Sequence, residues 1–193
     1  LFFQEDSSNP AFSPELSNYK DLYEHFDKLN LNNTPKNIVN FFQFIRKSYY
    51  MKQNAELLNI FEEFDLFTIT VNFISSENVN VSIEALKFIK IFTSVNDDFA
   101  QLFIERNLFG ILSNVISKCF PTNWEENQES NDYQYFILTL SILSNLSQFN
   151  QAYVKRVWKI LTPNLFFTII NNGNPESLLK CTLIAMRSIQ RSN

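Results

Sequence analysis

The side chains best suited to chemistry are few and scattered along the chain. The single histidine, His25, lies between Glu24 and Phe26. A general base needs a nucleophile or a substrate site beside it. The local sequence offers only Asp21, four residues upstream in a helical pattern, so a weak surface ion pair is the expected relation. The two cysteines, Cys119 and Cys181, are 62 residues apart and neither has a CxxC neighbour. A reactive thiolate needs a base or a positive local field. The spacing supplies neither, and both are expected to be inert or buried. The acidic pairs Glu62–Glu63, Asp97–Asp98 and Glu125–Glu126 have the residue types of a metal site or a glycosidase pair. Asp97–Asp98 follow Asn96 at a helix start, where capping and the helix dipole account for them. Glu125–Glu126, with Glu129 and Asp132, belong to a polar stretch at 121–132 that also carries Trp124. Two readings of that stretch stay open: a solvated loop, or a partner contact centred on Trp124.

Composition narrows the classes further. Two glycines among 193 residues are too few for a phosphate loop, a dinucleotide fingerprint or a fold of tight hairpins. One histidine and two cysteines exclude a Cys/His zinc cluster, a disulfide framework and any mechanism that needs two histidines. A non-enzymatic protein is therefore expected, with no catalytic residue, no cofactor, no metal and no small-molecule substrate. Hydrophobic residues make up 45% and charged residues 19%, ample for a core. Phenylalanine is abundant at 21 and asparagine reaches 25, a bias that reads first as that of an AT-rich genome. No window approaches 18 uninterrupted apolar residues and no signal-peptide pattern opens the chain, so no membrane is expected. An intracellular protein, cytoplasmic or nuclear, is expected, with cysteines kept reduced. The first residue is not methionine, which admits a fragment of something longer.

Helical periodicity organises the rest. Ser13-Pro14-Glu15 and Thr34-Pro35 are helix starts. Leu16, Tyr19, Leu22, Phe26 and Leu29 form one apolar stripe, and Ile38, Phe41, Phe42, Ile45 and Tyr49 form the next. Residues 67–73 alternate like a strand, but they also fit a helix through Phe64, Phe67, Val71 and Ile74. Comparison within the chain decides for the helix. The segment beginning at Phe64 is repeated at Leu108, 44 residues on, and at Leu161, 53 further on, the longer step reflecting the insertion at 121–132. Helical units with a period in the forties have the length of armadillo or HEAT repeats.

The run Ile142-Leu143-Ser144-Asn145-Leu146 resembles the end of the third helix of an armadillo repeat, commonly Ala-Leu-x-Asn-Leu. Ser75-Ser76-Glu77-Asn78, with Val81, Ala85 and Leu86, resembles the turn into that helix. The family's glycine between first and second helices is missing, and Asn107 is its expected substitute in the left-handed region. The resemblance implies an all-α, right-handed α-solenoid of about four repeats over 14–193, after a tail at 1–13. The approximate units are 14–62, 63–107, 108–160 and 161–193.

The resemblance also implies that third helices line a concave groove. Carrying the register of Asn145 across, with Lys47, Ile91 and Ser188 aligned to it, gives four positions per helix. These are Gln43, Arg46, Lys47 and Tyr50; Lys87, Lys90, Ile91 and Ser94; Ser141, Ser144, Asn145 and Gln148; and Ile184, Arg187, Ser188 and Arg191. Six of the sixteen are basic and none is acidic, in a chain of net charge −4. The expected function is thus a protein-interaction scaffold holding an acidic or mixed extended segment. Asn145 and Gln148 would bond its backbone, and Arg46, Lys47, Lys87, Lys90, Arg187 and Arg191 would meet its carboxylates. Tyr50 and Trp124 complete the expected partner-binding set. A nucleic-acid-binding groove, with Tyr50 stacking on a base, is the runner-up. An internal section of a longer solenoid is the third option, for which apolar faces bared at Leu16/Tyr19 and Leu183/Met186 would be the sign.

Overall fold

The structure, a computed structural model, describes residues 19–49, 54–94, 96–120 and 130–191. Among them are eleven helices and no strand: α1 (Lys20–Leu31), α2 (Pro35–Tyr49), α3 (Ala55–Glu63), α4 (Leu66–Phe73), α5 (Val79–Phe92), α6 (Asp97–Glu105), α7 (Leu108–Cys119), α8 (Asn131–Leu146), α9 (Gln151–Ile160), α10 (Pro163–Asn172) and α11 (Pro175–Gln190). The start signal at Ser13-Pro14-Glu15, the residue Tyr50 and the tryptophan Trp124 lie outside the described residues.

The first turn of a helix leaves N–H groups without intrahelical acceptors, and a short polar side chain just before it supplies one. Asn54, Asn78, Asn96, Asn150 and Asn174 do this for α3, α5, α6, α9 and α11. The Oδ1 of Asn54 accepts from the Leu57 N–H at 2.9 Å, and that of Asn96 from the Asp98 N–H at 2.8 Å. Ser130 and Thr162 cap α8 and α10 in the same way. Asparagine abundance therefore has a structural use that compositional bias conceals.

Residues 67–73 are helical, within α4. Leu66, Phe67, Thr70 and Val71 fall on one buried face, and the Thr70 hydroxyl donates to the Leu66 carbonyl at 2.6 Å, so its polarity is absorbed within the helix. The missing glycine between first and second helices is replaced twice. Asn107 before α7 has φ 64°, and Asp65 before α4 has φ 49°. Both residue types tolerate the left-handed region because a short polar side chain compensates for the Cβ contact.

Packing follows from where the apolar stripes point. Helices α2, α5, α8 and α11 lie side by side in a ladder. Helix α1 packs on α2, α4 on α5, α7 on α8 and α10 on α11. Phenylalanines fill the space between layers. Phe61 of α3, Phe67 of α4, Phe88 and Phe92 of α5, and Phe99 and Phe103 of α6 are all solvent-free. Their ring centroids sit 4.6 Å apart for Phe88–Phe92 and 4.9 Å for Phe67–Phe103. Each such ring contributes about 1.5–3 kcal/mol through burial, and the edge-on pairs add to that. Helix α8, flanked by α5 and α11 and backed by α7, is apolar almost all round.

Candidate functional site

The face of the ladder away from the phenylalanine core is where polar side chains of different helices meet. Its N-terminal half forms an open trough of about 480 Å³. Val39 and Gln43 of α2, Ile83 and Lys87 of α5, and Asn131 and Gln134 of α8 line it, with Lys36, Asn78 and Asn80 at its edges. Carboxamides, which both donate and accept, thus dominate its polar lining.

Beneath them lies Glu84, an acid that the sequence comparison missed. It is buried on α5 and shared by two cations. Arg46 of α2 pairs with one oxygen, and the Lys87 ammonium sits 2.8 Å from the other. The four positions compared per helix begin at Lys87 on α5, one turn beyond Glu84. The (i, i+3) spacing of Glu84 and Lys87 was the available signal.

The C-terminal half of the ladder is built differently. The last turn of a helix leaves carbonyls unbonded and carries a partial negative charge. The next ladder helix supplies the donors. The Asn145 amide donates to the Lys90 carbonyl at 2.8 Å, and the Gln148 amide to the Ser94 carbonyl at 2.7 Å. Arg187 donates to the carbonyl and, at 3.0 Å, the hydroxyl of Ser144, and Arg191 to the Gln148 carbonyl. All four side chains thus bond within the chain. Arg187, not Ser188, stands where Asn145 stands, since each takes the carbonyl of the corresponding residue in the preceding helix. Ser188 instead accepts from the Trp158 indole N–H at 2.7 Å. Ser141 and Ser144 are buried beneath α8's neighbours.

Lys47 is exposed on α2. Lys90 is half-buried on α5, and its ammonium has no hydrogen bond or ion pair among the described residues. Burial lowers its pKa, and the nearby cations Lys180, Lys87 and Arg46 lower it further, against the opposing pull of Glu176.

The remaining chemistry-bearing residues lie apart from this face or have structural roles. The His25 ring stacks on Phe44 with centroids 3.7 Å apart, and its Nδ1 lies 2.9 Å from the Asp21 carbonyl oxygen. Burial, together with Asp132, pushes the Cys119 thiol up to about 11, and burial pushes Cys181 to about 12. Both are held as thiols at neutral pH, without the nucleophilic thiolate. Among the described residues no group of three or more His, Cys, Asp or Glu is placed to hold a metal ion. No described helix is long and apolar enough to cross a membrane.

No protein-family model matches the sequence, and no curated protein is similar to it. Solved structures do match. A computationally designed armadillo repeat protein for modular peptide recognition superposes with a TM-score of 0.66 at 14% identity, over 90% of this chain and 66% of that one. A second designed armadillo repeat protein gives 0.67 at 14% identity, over 90% and 67%. A third, in complex with the peptide (KR)4, gives 0.64 at 11% identity, over 89% and 70%. The fold is an armadillo-like α-solenoid. The chain spans about two thirds of the length of the designs it matches.

Proposed function

We propose that this armadillo-like solenoid is a non-enzymatic protein-interaction scaffold that holds an extended, acidic or mixed segment of a partner along its ladder face. The observation that carries the reading is the trough across α2, α5 and α8, lined by the carboxamides Gln43, Asn78, Asn80, Asn131 and Gln134. Carboxamides projecting from successive helices can pair with the N–H and C=O groups of an extended backbone. The fold likeness supports this use, since one designed neighbour is described as serving modular peptide recognition. Charge sets the preference. A neighbour binds (KR)4, whereas the ladder face here offers Lys36, Lys47, Lys87 and Lys90, with Glu84 already shared by Arg46 and Lys87. Complementarity then favours an anionic segment. With Arg187 and Arg191 bonded to helix ends, too few free cations remain to track a nucleic-acid backbone well.

Fluorescence anisotropy with labelled (DE)4, a mixed-charge octapeptide, (KR)4 and an oligouridylate tests the reading. The expected result is binding of the acidic or mixed peptide at least tenfold tighter than (KR)4, lost in Lys36→Glu/Lys47→Glu/Lys90→Glu. Preference for (KR)4, or steeply salt-dependent preference for the oligouridylate, would overturn it.

A further inference from the structure

We propose that Arg46, Lys87, Lys90 and Lys180 form a subsite for a phosphate monoester carried on the partner's extended segment, that is, a phosphorylated serine or threonine. The inference rests on the peptide-scaffold reading and specifies the chemistry of its ligand.

Three ladder helices contribute. Arg46 comes from α2, Lys87 and Lys90 from α5, and Lys180 from α11. Between α5 and α11 lies α8, whose Ile137, Ser141 and Ser144 are buried and bring no charge. The acids near the group are Glu84, occupied by Arg46 and Lys87, and Glu176 of α11. Four cations against two carboxylates leave an excess of two positive charges. A phosphate monoester carries about −1.5 to −2 at neutral pH, whereas a carboxylate carries one negative charge. Only the former matches the excess.

Hydrogen bonding points the same way. The Lys90 ammonium has three donors and spends none on a described residue. The Arg46 Nε–H, on the same face, is buried without an acceptor. Folding a half-buried ammonium among three other cations is unfavourable by itself, and the repulsion is visible in the lowered pKa of Lys90. An anion with several acceptor oxygens, presented from the adjoining trough, would relieve that repulsion and take up the unspent donors. Lys90 lies one helical turn beyond Lys87 at the trough's end, so a segment held by the carboxamides can continue directly onto the cations. A nucleic acid would meet this charge excess at one phosphate only, and the chain's net charge of −4 opposes the remainder.

The test is anisotropy with a peptide pool degenerate around a central phosphoserine, against the same pool with serine. Wild type and Lys90→Gln/Lys180→Gln are compared, with thermal melts to check folding. Inorganic phosphate and an oligouridylate serve as competitors. The phosphoserine pool is expected to bind at least tenfold tighter than the serine pool in wild type and less than threefold tighter in the variant. The variant should melt no lower than wild type, because it removes a repulsion. Inorganic phosphate should compete only at concentrations at least a hundredfold above the peptide.

Equal affinity for the two pools, or a phosphoserine preference that survives in the variant, overturns the proposal. So does stronger competition by the oligouridylate than by unlabelled phosphopeptide. Inorganic phosphate competing as well as the peptide would assign the cations to a free anion instead. If (DE)4 binds while phosphorylation adds nothing, the scaffold reading stands and the phosphate subsite falls. If no peptide binds at all, both fall together.

Discussion

Glu84 is nearly solvent-free and yet charged, because cations from two directions share it: Arg46 from the neighbouring ladder helix and Lys87 from the next turn of its own. Removing one member of such a group leaves the others desolvated without compensation. Glu84→Gln is therefore expected to destabilise by about 2 kcal/mol in urea denaturation, less than the ~3–5 kcal/mol of a wholly buried pair because Lys87 still reaches water. Adding Arg46→Met should recover part of the loss, and an additive double variant would show that the pair is not coupled. Thr139 presents the opposite case. Its hydroxyl is buried in the middle of α8 with no hydrogen-bond partner among the described residues. Thr139→Val keeps the shape and deletes an unsatisfied polar group, so stability should hold or rise by up to about 1 kcal/mol. A fall of that size in the same urea titration would mean that the hydroxyl has a partner in solution.

Helix ends, rather than helix middles, tie one repeat to the next. Asn150 caps α9 through the Tyr153 N–H, and Asn145 closes the end of α5 through the Lys90 carbonyl. Asn150→Ala should cost about 1 kcal/mol as an ordinary cap loss. Asn145→Ala should cost about 1–2 kcal/mol, because it orphans a carbonyl in the neighbouring helix as well. Equal, negligible losses in chemical denaturation would show that water replaces both. The helices themselves were legible in the sequence, since the 3.6-residue stripes and the Thr34–Pro35 start are local signals. Asn107 was legible too, as a residue type that tolerates positive φ, whereas Asp65 in the same role was not singled out. The ladder register could be carried only approximately. Asn145 and Arg187 do the same work with unlike side chains, so alignment by residue type drifted to Ser188. The trough escaped notice for a related reason. Its carboxamides look like the rest of an asparagine-rich chain until α2, α5 and α8 bring them to one face, and Glu84 precedes the compared positions by a turn.

Stacking repeats buries each unit from both sides, and an end shows what an inner repeat covers. At the first described helix the end is closed: Tyr19 is buried and stacks on Tyr49 with centroids 5.5 Å apart, while Leu16 lies outside the described residues. At α10 and α11 it is open. Phe167, Ile170, Leu179, Met186 and Ile189 are exposed there, whereas Leu183 is half-buried. Counted from the capping residues Asn78 and Asn174, Leu179 occupies in α11 the place of Ile83 in α5, yet it is 56% exposed against 6% for Ile83. The difference is the neighbour: α8 lies beside Ile83, and no described helix lies beyond Leu179. The same substitution should then have unequal effects. Ile83→Gln should cost about 2–3 kcal/mol for lost burial and a buried amide, while Leu179→Gln should stay within about 0.5 kcal/mol of wild type. Urea titrations at several protein concentrations make the comparison. A Leu179→Gln loss that matches Ile83→Gln and grows with concentration would mean that this face is covered in solution by another molecule. A small, concentration-independent loss leaves it bare, as the geometry of α10 and α11 has it.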